Sequence, residues 1–202
     1  PRQKKIIKKI SEISNFKKIK KIIDNFNKLK ILVIGETIID QYVFCEALGK
    51  SGKEPVLVLR DLEMDQYAGG AVAIARHLSD FCGTISLLSM LGEKKEHETF
   101  VIESLPENIE PYFIYKDDAP TITKKRFVDH VSKSKSLGLY SINDSQMNGE
   151  NQNQLISFLD ELIPKHDLVI ISDYGHGFLS KEIAQKISKQ SIFTTLNAQI
   201  NA

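Results

Sequence analysis

Four clusters of polar residues have the types and spacing for ligand chemistry. In the first, Gly35-Glu36-Thr37 is followed by Asp40, five residues after the glycine. A carboxylate there could accept hydrogen bonds from the hydroxyls of a small ligand, or it could cap a turn or helix. The second is Gly69-Gly70, immediately before an alanine-rich run. Paired glycines let a ligand approach the backbone, and a helix start offers N–H groups to hydroxyl oxygens or anions. A Gly-Gly turn entering a helix also serves purely structural ends. The third is Asp173-Tyr174-Gly175-His176-Gly177. Asp173 could bind hydroxyls and His176 could meet a phosphate as a partly protonated donor; the alternative is a tight glycine turn with an exposed histidine. The fourth is Thr121-Ile122-Thr123-Lys124-Lys125-Arg126. Strand alternation puts Lys124 and Arg126 on one face and Lys125 on the other, so the pair could hold a substrate phosphate or stand as a solvated basic strand.

Other chemistries find no support. Neither GxxxxGK[ST] nor GxGxxG occurs, so there is no Walker loop and no dinucleotide fingerprint. No Ser-His-Asp or Cys-His arrangement stands out, and the five histidines show no metal spacing. Cys45 and Cys82 are too few for a disulfide scaffold and are expected to be reduced and buried, as suits a cytoplasmic protein. No apolar run reaches the roughly 18 residues of a spanning helix.

The elements that must carry these clusters alternate between strand and helix. Ile31–Ile34, Thr84–Met90 and Leu168–Ile171 are short apolar runs that suit strands buried on both faces, the first ending at Gly35. Helical spacing runs over Ala71–Leu78, Glu93–Leu105 and Asn151–Ile163, with a further helix from about Ser180 and a closing strand near Ile192–Thr195. Strand-only stretches at Gln41–Tyr67 and about Pro111–Ile142 are best placed outside the main sheet, as a flap or lid. Polar residues gathered at the carboxyl ends of buried strands are an α/β signature.

Composition separates the amino terminus from the rest. The 202 residues hold 27 basic and 26 acidic side chains, but residues 1–30 carry +9 and the remainder −8. Ile6, Ile10, Ile13, Phe16, Ile19, Ile23 and Phe26 step by three or four and draw one apolar stripe between lysine faces. Ser14 and Asn15 could break this helix and cap its second half. Residues 1–29 thus read as a basic amphipathic linker whose stripe docks on protein. Binding to nucleic acid or to anionic membrane is the less favoured reading of the same charge.

In order and spacing, these segments resemble the ribokinase-like sugar kinases of the phosphofructokinase-B type, and within them the heptose-7-phosphate kinase branch, whose kinase half occurs fused to a nucleotidyltransferase. The resemblance rests on KILVIGETIIDQY (Lys30–Tyr42), QYAGGAVAIARHL (Gln66–Leu78), PTITKKRFV (Pro120–Val128) and DLVIISDYGHGFLS (Asp167–Ser180), and covers about residues 30–202. It implies an α/β/α sandwich, here incomplete, with a small β-sheet lid that often forms a dimer contact. It further implies that Asp40, Gly69, Gly70 and Asp173 bind sugar hydroxyls and that Arg126 and His176 are candidates for a substrate phosphate. ATP and Mg2+ would serve the complete kinase, with Asn197, and Gln199 beside it, near the edge of the nucleotide pocket.

The departures fall on substrate contacts. Ala73 stands where the branch usually has Asn, Gly49–Pro55 replaces an Arg-Ile-Ser-Pro-Glu segment, and His176 replaces the lysine of an SDYGKG turn. The GAGD motif with the catalytic base and the NxxE element do not occur. The expectation is therefore the sugar-binding half of a kinase, inactive by itself, with a non-catalytic carbohydrate-binding or regulatory module as the alternative.

Overall fold

The computed structural model describes residues 2–13, 15–190 and 192–199. Helix α1 (Arg2–Ile13) and α2 (Phe16–Asp24) precede the strand on which everything else is built, β1 (Lys30–Lys50). Next come β2 (Leu57–Gly70), α3 (Ala71–Ser79), β3 (Thr84–Gly92), α4 (Glu98–Glu103), β4 (Ile109–Lys116), β5 (Thr123–Asp129) and β6 (Lys135–Ser141). The chain closes with α5 (Gly149–Leu162), β7 (Leu168–Asp173), α6 (Lys181–Ser188) and β8 (Phe193–Ala198).

Strand β1 belongs to two sheets. Its first half lies in a parallel sheet of order β4-β3-β1-β7-β8, where Ile31 aligns with Ile85 on one side and Leu168 on the other. Its second half pairs with β2 antiparallel and β5 parallel, and β5 pairs with β6, which makes a lid sheet of order β2-β1-β5-β6. Ile31, Leu32, Val33 and Ile34 are at most 2% exposed, as a strand covered on both faces requires. Alternation sends Leu32 and Ile34 into a core with Leu155, Leu159, Ile183 and Ile187 from α5 and α6. Ile31 and Val33 point the other way, into a core with Ala71, Val72 and Ala75 of α3 and Val101 of α4. The result is the expected three-layer α/β/α arrangement.

Three expectations are corrected. Gly35 does not end the first strand: β1 runs on for fifteen residues, through Lys50. The glycine is there because β7 comes too close for a side chain, since a Cβ at Gly35 would lie 2.1 Å from the Ser172 carbonyl oxygen. The strand at Tyr112–Tyr115 is not part of the lid; it lies in β4, at the edge of the main sheet, where Pro111 is tolerated. Only β5 and β6 of the Pro111–Ile142 stretch build the lid. The helix expected from Glu93 begins only at Glu98, because Lys95 and His97 take left-handed conformations (φ 58° and 66°) that break its first turn.

The amino-terminal helices form as the stripe predicted, and the Asn15 side chain caps α2 by accepting from the Lys18 N–H. Among the described residues the stripe does not dock on the rest of this chain. Phe16 is 80% exposed and α2 buries no residue. Ser14, offered as a break and cap, lies outside the described residues, as do the side chains of Ile10 and Ile13. At the other end, β8 pairs with β7 and leaves Phe193 and Leu196 exposed. Among the described residues no helix is long and apolar enough to cross a membrane.

Gly35 gives the fold a direct test. Substituting Gly35→Ala must push β1 away from β7 and should lower stability in urea unfolding by about 1–3 kcal/mol, the usual cost of overpacking. Gly52→Ala, where no atom lies within 4 Å of an added Cβ, should stay within about 0.5 kcal/mol of the parent. Equal effects at both positions would contradict the close crossing.

Candidate functional site

The lid half of β1 carries Asp40. Cross-strand register sets Asp40 beside Lys124 and Tyr42 beside Arg126, so these side chains share one face of the lid sheet. The Arg126 Nη1 donates to Asp40 Oδ1 at 2.5 Å, with the two side chains 18% and 27% exposed. The hydrogen bond to Asp40 holds the guanidinium above its ordinary range against the opposing pull of burial. Tyr42 and Tyr140 flank the guanidinium, their ring centroids 5.4 and 5.7 Å away. Two of the candidate groups thus meet, as an ion pair between aromatic rings.

Gly69 and Gly70 end β2 directly opposite, paired with Ile38 and Thr37. A Cβ at Gly69 would lie 2.7 Å from Asp40 Oδ2, and one at Gly70 would lie 2.2 Å from the Glu36 carbonyl oxygen. Gly70 also sits at φ 62°, ψ −138°, as the residue before α3. Both glycines are needed first to admit the chain's own atoms, and they leave the α3 start without a side-chain cap. Ala73, one turn in, lines a surface cleft with Arg76, His77 and Pro106.

Asp173 ends β7. Its Oδ1 accepts from the Gly175 N–H at 2.9 Å and its carbonyl accepts from the Gln199 N–H at 2.8 Å. The turn that follows is held from β1. Glu36, fully buried, accepts from the Tyr174 N–H through Oε2 at 2.9 Å and from the His176 N–H through Oε1 at 3.0 Å. Burial raises the Glu36 carboxyl above 4.5 more than these bonds lower it, and the charge of Asp173 adds to the rise. A carboxyl raised in the folded state holds its proton more tightly there. The stability it contributes is therefore greatest below 4.5 and falls as pH climbs towards the raised value.

His176 is corrected. It is 3% exposed rather than presented at a surface. Its Nδ1 lies 2.7 Å from Asp144 Oδ1, and its Nε2 is enclosed without a hydrogen-bond partner. The cause is Gly177, at φ 83°, whose missing Cβ lets the Ser145 carbonyl approach to 1.9 Å of where that atom would stand. The segment after β6 therefore covers the imidazole, and the ring offers no donor to a phosphate beside Arg126 in this arrangement. Asn197 pairs with Ser172 on exposed β8, next to Asp173 in register.

Lys116 is a residue that the sequence pattern does not single out. It is 3% exposed, and its ammonium donates to the carbonyls of Asn143, Ser145 and His176 at 2.5, 2.6 and 3.1 Å. Burial lowers it from its ordinary range, opposed by the charges of Asp144 and Glu36. The one available signal was a lysine at the end of an apolar stretch rich in aromatic residues.

The carboxylates of Glu36 and Asp40 stand four residues apart on β1, about 13 Å along an extended strand. Asp40, Gly69, Gly70 and Arg126 thus gather on the lid half of β1, and the Asp173 turn is held at Glu36, four residues back along the same strand. A cavity of about 380 Å3 adjoins Asp173 between α6 and β8, lined by Ile171, Leu179, Ala184 and Leu196. A second, of about 360 Å3, lies on the lid face opposite Asp40, among Gln41, Glu96, His97 and Lys125. Among the described residues no group of three or more His, Cys, Asp or Glu side chains could hold a metal ion. The donor set present suits neutral hydroxyls at the carboxylates and an anion at Arg126.

No family model matches the chain. It is 28% identical over 164 residues to the bifunctional protein HldE of Campylobacter jejuni strain RM1221, covering 81% of this chain and 34% of that protein. It is 31% identical over 157 residues to the HldE of Haemophilus ducreyi, covering 77% and 32%. The chain spans about a third of the length of the curated relatives it matches. Among solved structures, phosphofructokinase-2 from Escherichia coli, in complex with fructose-6-phosphate, superposes with a TM-score of 0.60 at 15% identity, over 82% of this chain and 54% of that one. Ribokinase from Thermotoga maritima superposes with a TM-score of 0.53 at 15% identity, over 82% and 51%. The chain is therefore a homologue of the bifunctional HldE proteins, built on the fold of the ribokinase-like, phosphofructokinase-B-type sugar kinases.

Proposed function

We propose that this chain is the sugar-binding part of an ATP-dependent carbohydrate kinase acting on a sugar phosphate of the heptose 7-phosphate kind. The observation that carries the reading is the Asp40–Arg126 pair on the lid, facing Gly69 and Gly70 in a homologue of HldE. One end of such a site offers an acceptor for hydroxyls and a cation for phosphate within one hydrogen bond of each other. Asp40 and Asp173 accept from sugar hydroxyls, and the backbone at Gly69 and Gly70 lies against the ring. Arg126, with Lys124 on the same face, takes the substrate phosphate through guanidinium donors that Asp40 leaves available. His176 supports the turn from behind.

ATP supplies the transferable phosphoryl group, and Mg2+ the charge neutralisation that such transfer needs. We assign their binding to segments outside these 202 residues, because the GAGD and NxxE elements do not occur here. On an exposed edge strand, Asn197, with Gln199 just after it, is the candidate contact to that nucleotide. The same edge, with the apolar cavity beside it, suits further strand and helix of the sandwich. A nucleotidyltransferase fused upstream, a homodimer and a cytoplasmic location complete the proposal. For the homodimer, the lid's outer face offers Leu137 and Leu139, both 58% exposed, and Met64, 51% exposed, as contact surface.

A binding or regulatory module is the second reading. It is favoured by one observation: Asp40 is already committed to Arg126 in the ligand-free protein. ADP release by the full-length protein, with ATP and magnesium across sugars and sugar 6- and 7-phosphates, separates the two. The kinase reading predicts release with one sugar-phosphate class and none from the 202 residues alone. Arg126→Ala should raise KM for the sugar phosphate about tenfold to a hundredfold, as loss of a charged hydrogen bond implies. Binding of a sugar without release of ADP would establish the second reading instead.

A further inference from the structure

We propose that Lys116 is a positioning residue, whose ammonium fixes the Asp173–Gly177 turn for sugar binding and ties it to the segment that returns from the lid. The inference rests on the sugar-kinase reading for its consequence, and on the three carbonyl contacts for its geometry. An ammonium has three N–H donors and no acceptor. Here all three find backbone carbonyls, two on the lid return (Asn143 and Ser145) and one on the turn (His176). Asp144 and Glu36 act on Lys116 only through their charge.

The His176 residue is thereby gripped on both sides. Its N–H goes to Glu36 from β1, and its C=O goes to Lys116 from β4. The backbone of the turn has no freedom to rotate without breaking one of the two. Asp173, which accepts from Gly175 within the same turn, is oriented by that grip. The lid return is bound into the same point by two further bonds. The Gly177 carbonyl accepts from the Met147 N–H at 3.3 Å, and Asp144 Oδ1 lies 2.7 Å from His176 Nδ1. A hydrophobic residue at position 116 would fill the space but leave three buried carbonyls without a donor.

This makes the ammonium the junction between lid and turn. Asn143 and Ser145 follow directly on β6, so Lys116 ties the end of the last lid strand to the turn that holds Asp173. A purely structural lysine would affect stability alone. A positioning lysine affects the site even in a folded protein.

The test uses the full-length protein with Lys116→Met, and Lys116→Gln as a second variant that keeps two N–H donors should the first fail to fold. Hydrogen exchange should rise about tenfold together in residues 143–147 and 174–178, while amides of Ile31–Ile34 keep their protection. The dissociation constant for heptose 7-phosphate, by calorimetry, should weaken about tenfold, with KM rising and kcat at saturation within about threefold. In Lys116→Ala, methylammonium should restore part of the affinity, while tetramethylammonium, which has no N–H donor, should not. Binding within twofold of the parent, or looser exchange in only one of the two segments, would overturn the proposal. If the parent itself fails to bind heptose 7-phosphate, the substrate reading falls, and the exchange measurement still decides whether Lys116 couples the two segments.

Discussion

The enclosed Glu36 carboxylate accepts the N–H groups of Tyr174 and His176 with its two oxygens, and this pair of bonds fixes the Asp173–Gly177 turn against β1. It lies at the carboxyl end of the buried half of β1, where the strand leaves the parallel sheet for the lid. Removing a carboxylate from water is costly, so its two backbone partners are obligatory rather than optional. Because burial still raises the group above its ordinary range, the site keeps a carboxyl where an apolar residue would be more comfortable. What the carboxyl gives in return is a fixed turn, with Asp173 at its head and the buried His176 beneath it.

The second constraint is continuity. A single strand that serves both sheets leaves no hinge between core and lid at Gly35, and the paired glycines of β2 let that strand be approached closely from the other side. Asp40 and Glu36 are therefore carried on one rigid element. β5 pairs with that strand along Ile39–Cys45 and so brings Arg126 to Asp40. On the sugar-kinase reading proposed above, specificity would be divided, the sugar end being set by β1 and the phosphate end by the lid strand that carries Arg126.

Much of this could be read from sequence where the signal is local. Ile31–Ile34 and Leu87-Leu88 are apolar runs with no amphipathic choice, and their burial followed; in Leu168–Ile171 only Val169 and Ile171 are buried, and Leu168 and Ile170 are half-buried. The alternation of Thr123–Arg126 placed Lys124 and Arg126 together, and the register agrees. What sequence did not disclose is long-range. Gly35 looks like a turn until Ser172 is known to cross it. The Ile109–Lys116 segment mixes Pro, aromatic and charged residues as an exposed strand would, yet pairs in the main sheet as an edge. His176 and Lys116 are residue types that usually seek water, and only carbonyls and carboxylates from distant segments make their burial tolerable.

Amide exchange at Tyr174 and His176, in the parent and in Glu36→Gln, tests the central claim most directly. A glutamine offers one acceptor oxygen where the carboxylate offers two, and turns N–H groups towards a second N–H. Exchange at one or both amides should accelerate by about tenfold or more, the cost of an unmade buried hydrogen bond, while Ile31–Ile34 remain protected. Unchanged exchange at both amides would show that the turn is held by other contacts, and that Glu36 is not the anchor of this site.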